Sequence, residues 1–102
     1  MINIYLSRLV LNHDDRRVRH ELSSVYELHR TVMSGFPPTL PEGERVLFRL
    51  DEDHDGRPTL LVQSQTAPDW GGLAGGYLRP SDPLDPIPNP SVKRVELAFR
   101  AG

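Results

Sequence analysis

The densest set of reactive side chains in this chain is Tyr26, His29 and Arg30, with His20 and Arg19 one or two turns ahead of them. On a helix, Tyr26 lies three residues before His29 and four before Arg30, so all three project from neighbouring rows on one side. Histidine titrates near neutrality and serves as acid or base. Tyrosine, with a pKa of about 10, is a poor base but a good hydrogen-bond donor to a phosphate oxygen. Arginine pairs with such an oxygen in a bidentate way. This set suits a phosphodiester that carries its own nucleophile, as RNA does in its 2′-hydroxyl. The protein then has only to move protons and steady charge, and no metal or cofactor is required.

Taken by itself, Tyr-x-x-His-Arg is a weak signal, because surface helices often carry these residues with no function. His13, His20 and His54 read as solvent-exposed. Without a His-Glu-x-x-His run or convergent carboxylates, no metal ligand set is expected. There is no Walker or Rossmann glycine loop and no Gly-x-Ser-x-Gly elbow. The pairs Gly71-Gly72 and Gly75-Gly76 read as a flexible linker. Trp70 could stack a base, but a lone Trp in a loop usually anchors that loop to the core. The paired strand aromatics of an RNA-recognition motif are missing.

Several elements must position these residues. Ile2 to Leu11 alternates at strand period, with Ile2, Ile4, Leu6 and Val10 on the face expected to be buried. Asn12-His13-Asp14-Asp15 offers a helix start, its acids placed to meet the positive end of the helix dipole. Val18, Leu22, Val25, Leu28 and Val32 form a helical stripe, and Ser24-x-x-Glu27 matches a capping box, so the helix is expected to break and restart there. Gly35, Pro37 and Pro38 close it. Arg45 to Leu50 and Thr59 to Gln65 read as a hairpin around Asp55-Gly56, with Val46, Phe48 and Leu50 on one face and Leu60 and Val62 on the other strand's matching face. Its tip, Asp51 to Asp55, is acidic and would repel phosphate. From Ala67 to Ser91 the pattern dissolves into Pro and Gly, an irregular and mobile stretch with at most a short helical turn at Asp69 to Ala74. Val92 to Phe99 reads as a last strand. The sum is an α+β, ferredoxin-like (RRM-like) antiparallel sheet with helices packed on one face.

Composition narrows the class. A chain of 102 residues suffices for one domain, and at 37% apolar its core should be thin. No cysteine is present, which removes disulfides and thiolate metal sites and fits a reducing, cytoplasmic setting. Neither a signal peptide nor a run of about 20 apolar residues is visible, so no membrane partner is expected. The formal charge of −2 is unusual for a nucleic-acid binder. If RNA is the substrate, most of the positive surface must lie elsewhere.

Several pieces together resemble the CasE family, the endoribonucleases that process CRISPR RNA in type I-E systems. Tyr5-Leu6-Ser7-Arg8-Leu9-Val10-Leu11 resembles the family's first strand. Val25-Tyr26-Glu27-Leu28-His29-Arg30, followed by Phe36-Pro37, resembles its catalytic helix and the exit from it. Val46-Leu47-Phe48-Arg49-Leu50, Leu60-Leu61-Val62-Gln63-Ser64 and Pro68-Asp69-Trp70 follow in the family's order. The resemblance implies two tandem ferredoxin-like domains that bind the stem-loop of a CRISPR repeat, work beside other Cascade subunits, and cut at the 3′ base of the stem. Products would be a 2′,3′-cyclic phosphate and a 5′-hydroxyl. The family's tyrosine and histidine fall on Tyr26 and His29, with His29 as general acid or base and Tyr26 as orienter or proton partner. Arg30 carries over as a phosphate contact.

There are departures. The Gly-rich loop and basic hairpin of the family's carboxy-terminal domain are absent, so residues 1–102 are expected to be the amino-terminal part of a longer two-domain protein, weak or inactive alone. The charge of −2 fits that expectation, with the RNA-gripping surface in the other part. Val92 to Phe99 could then be a flanking strand or arm, leaving the sheet without a complete fourth strand and with an edge open to self-association. The competing reading is a non-catalytic ferredoxin-like module that binds RNA or protein. A small toxin-type nuclease is disfavoured by the acidic balance.

Overall fold

In the computed structural model, which describes residues 2–97, the chain runs β1 (Ile2–Val10), α1 (Arg16–Leu22), α2 (Val25–Met33), β2 (Leu47–Glu52), β3 (Pro58–Ser64), a 3-10 turn (Trp70–Gly72) and β4 (Ser91–Leu97). The four strands form one antiparallel sheet in the order β2-β3-β1-β4, the ferredoxin-like order. β4 pairs with β1 along its whole length, from Ile2 opposite Leu97 to Arg8 opposite Ser91. It is therefore the sheet's fourth strand and not a flanking arm; Phe99 lies outside the described residues.

The two helices arise as the capping residues require. Asp15 accepts from the backbone N–H of Arg17 (2.8 Å) and Val18 (3.3 Å) and so caps α1. After the break at Ser23, Ser24 Oγ accepts from Glu27 N at 3.3 Å and caps α2. Only half of the expected capping box is present, since the Glu27 side chain pairs loosely with Arg30 instead. α2 buries Leu28 and Val32; with Val18 of α1 they join Leu9, Leu11, Leu60 and Val62 of the sheet in one core.

β1 turns the other way from the expected register. Ser7, Leu9 and Leu11 face the helices, whereas Ile2, Ile4, Leu6 and Val10 lie on the opposite face, where Leu6 is exposed and, of the expected set, Val10 alone is buried. Both faces of this strand are partly apolar, so alternation alone does not choose between them. The choice is made above Ser7, where the Trp70 ring sits and its Nε1 donates to Ser7 Oγ at 3.1 Å. A larger side chain at position 7 would occupy the volume of the indole.

The segment 67–91 is irregular but pinned. Trp70 and Tyr77 are buried, Leu78 bridges Leu11, and Asn89 acts as a false strand neighbour to Val10. Its Oδ1 accepts from Val10 N, and its Nδ2 donates to Val10 O, both at 2.9 Å. Four glycines between 71 and 76 and five prolines between 80 and 90 disfavour a second long helix here, and Trp70 takes its place against the sheet. Phe36 meets that indole edge-on at 5.7 Å, and Gly35 lies directly under it. A Cβ on Gly35 would fall 2.6 Å from Trp70 Cε3.

Gly35→Ala is accordingly expected to destabilise the fold by about 1–3 kcal/mol through overpacking. Urea unfolding measures this, and Trp70 fluorescence should report the displaced indole.

Candidate active site on the second helix

α2 presents its stripe of Leu28 and Val32 inward, which leaves Tyr26 and His29 on an exposed flank. Tyr26 keeps 69% of its surface open to solvent, enough for direct contact with a macromolecular substrate. His29, one turn on, is also exposed. Its imidazole packs against the half-buried Phe48 of β2, ring centroids 6.1 Å apart with planes inclined by 41°. The Tyr-x-x-His spacing thus places both side chains on one flank, as expected.

Arg30 is turned toward a different neighbourhood. Its guanidinium stands 3.9 Å from Glu27, a loose and largely solvated pair. It lines a cleft of about 320 Å³ with Arg17, Thr31, Ser34 and Tyr77, and His29 is not part of that wall. Arg19 and His20 lie exposed on α1. His13 is exposed beside the β2–β3 hairpin, and His54 pairs with Asp55 at 3.3 Å on the hairpin tip. Among the described residues, neither hydrogen-bonds or ion-pairs with a side chain of α2. Among the described residues, no three His, Asp or Glu side chains gather as a ligand set.

One supporting cluster has no signal in the sequence. Glu21 Oε1 accepts hydrogen bonds from Thr31 Oγ1 (2.6 Å) and Tyr77 Oη (2.8 Å). A single carboxylate therefore ties α1, α2 and the 67–91 segment together. Burial, followed by the hydrogen bond to Glu21, raises the Tyr77 pKa well above its usual value. At the other end of the loop after α2, Glu44 accepts from Gln65 N, Thr66 N and Thr66 Oγ1 at 2.9, 2.6 and 2.6 Å, holding the chain as it leaves β3.

The profile of the family described as CRISPR associated protein matches residues 4–101. The chain belongs to that family. It is 38% identical to the CRISPR-associated endoribonuclease Cse3 of Thermus thermophilus, over 96% of its own length and 48% of the relative's. It thus spans about half of the curated relative it matches. A structure of Cse3 bound to a 19 nt RNA aligns over 98% of this chain and 44% of the other, with a TM-score of 0.75 and 34% identity. A Thermus thermophilus Cse3 complex with an RNA representing a pre-cleavage state gives 0.73 and 35% over 98% of this chain and 46% of that one. The CasE-type resemblance read from Tyr26, His29 and the strand pieces is borne out at the level of family and fold.

Because Tyr77 is held neutral by its surroundings, its contribution to stability is fully present below its ordinary pKa of 10.0 and is lost as pH rises past that value. Tyr77→Phe should lower stability at neutral pH by about 1 kcal/mol. It should also flatten the fall in stability above roughly pH 10, measured by urea unfolding across an alkaline pH series.

Proposed function

We propose that this chain is the amino-terminal, catalytic half of a two-domain endoribonuclease that cuts CRISPR repeat RNA at the base of a stem-loop. The observation that carries the proposal is the exposed Tyr26–His29 flank of α2, on a chain that superposes over nearly its whole length on Cse3 in a pre-cleavage RNA complex. The partners that follow are the repeat stem-loop and other Cascade subunits, in the cytoplasm. No described helix is long and apolar enough to cross a membrane.

The reaction needs little from the protein. A base takes the 2′-hydroxyl proton, the freed oxygen attacks phosphorus, and the bond from phosphorus to the 5′-oxygen breaks. An acid then protonates that leaving oxygen, giving a 2′,3′-cyclic phosphate and a 5′-hydroxyl. The imidazole of His29 is chemically suited to either proton transfer. Tyr26, one turn away, acts as its proton partner or donates to a non-bridging oxygen. The loose Glu27 pairing leaves Arg30 free to exchange partners for a phosphate. Since the nucleophile belongs to the RNA, the reading is a metal-independent one.

A second reading has one observation in its favour. The sheet face opposite the helices carries exposed Leu6, Leu47 and Leu97, and a shallow recess of about 530 Å³ there is lined by Leu6, Leu47 and Leu61 with Arg8, Arg49 and Lys93. Such a face fits a non-catalytic module that docks a partner.

Cleavage of an end-labelled repeat stem-loop in EDTA separates the two. The intact protein should cut at the stem base, and His29→Ala should reduce the rate by about 100-fold or more while binding is retained. Equal cutting by both proteins, or no cutting by a folded and RNA-binding wild type, leaves the binding module.

A further inference from the structure

Catalytic histidines are usually oriented by a third group, most often through a hydrogen bond to the second ring nitrogen. Among the described residues, the His29 imidazole makes no hydrogen bond and no ion pair. The ring of Phe48 packs beside it. Phe48 sits opposite Val62 in the β2–β3 register, so its side chain points to the helix side of the sheet and packs on the core. Its outer part lies against His29 at a centroid distance of 6.1 Å, within the range of a real aromatic contact.

We infer that Phe48 is the positioning residue for His29: it sets the imidazole's rotamer by apolar contact, in place of a hydrogen-bonding orienter. This rests on His29 being the reacting side chain. An exposed histidine on a helix otherwise samples several rotamers, and only some direct a ring nitrogen at a phosphodiester lying along α2. Packing the imidazole against a ring restricts that choice. It also leaves both nitrogens unpaired, one to face the RNA and the other to meet Tyr26 or water. A hydrogen-bonding orienter would occupy one of them.

Phe48 belongs to the strand itself. Its partner Val62 is 2% exposed and belongs to the central β3, so the Phe48 backbone is held by the sheet. Strand alternation turns the neighbouring Leu47 and Arg49 to the opposite face, which leaves Phe48 as the β2 side chain at this point of contact with α2.

The test uses the intact protein and the same labelled stem-loop. Phe48→Leu keeps apolar bulk over Val62 but removes the ring, and kcat should fall about tenfold with KM nearly unchanged. Phe48→Tyr restores the ring and should return kcat to within about twofold of wild type. In the wild type, nuclear Overhauser contacts should connect the His29 and Phe48 ring protons, and Phe48→Leu should abolish the ring-current shift of the His29 protons. This spectroscopic arm remains decisive if Phe48→Leu fails to fold. Absence of those contacts, unchanged kcat in a folded Phe48→Leu, or a loss confined to KM overturns the inference. If His29→Ala itself cleaves normally, the parent reading has failed. If His29→Ala is inactive and Phe48→Leu is fully active, only the role of Phe48 has failed.

Discussion

The seating of α2 on the sheet fixes everything else in this molecule. Leu28 and Val32 are nearly solvent-free, each worth roughly 1.5–3 kcal/mol in apolar burial, and they can be buried only with one rotation of a nine-residue helix. That rotation leaves Tyr26 and His29 outward, with His29 against Phe48 of β2 and Arg30 over the cleft beside Tyr77. Two sets of contacts keep the seat from shifting. At its start Ser24 caps the helix; in its last turn Thr31 is held by Glu21, and just beyond it Gly35 allows the chain to pass directly beneath Trp70.

A thin core explains the use of polar anchors. The chain has no second long helix between β3 and β4, and the proline-rich segment that runs there cannot supply one. Trp70 and Tyr77 fill the space instead, and their polar atoms are satisfied by Ser7 and Glu21. Asn89 does for the end of β1 what another strand would do, since its amide both donates to and accepts from Val10. These contacts span 56 to 79 positions of sequence, so the irregular segment helps to close the fold despite its lack of regular structure.

Much of this was legible in the residues. The helix break at Ser23-Ser24, the glycine turn at Gly56 and the anchoring role of Trp70 follow from local chemistry, and the structure shows each of them. Tyr26 and His29 could be placed on one flank from spacing alone. The register of β1 could not, because Ile2-Ile4-Leu6 and Leu9-Leu11 offer an apolar set on each face and a distant indole decides between them. β2 also runs into the expected tip, with Asp51 and Glu52 inside the strand, since solvated carboxylates are tolerated on an edge strand. Contacts such as Glu21–Tyr77 and His29–Phe48 depend on tertiary approach, and nothing in local sequence announces them. The family resemblance, carried by ordered short motifs, reached further than periodicity did.

The central claim is that the reacting hydroxyl belongs to the RNA and that the Tyr26–His29 flank only handles protons and charge around it. The most direct measurement replaces the single 2′-hydroxyl at the scissile nucleotide with hydrogen and follows cleavage of that stem-loop by the intact protein. Unaltered binding with no cleavage at that bond is expected, while the all-ribose RNA gives 2′,3′-cyclic phosphate ends. Cleavage of the deoxy-substituted RNA at the same position would contradict it, because the attacking oxygen would then have to come from water.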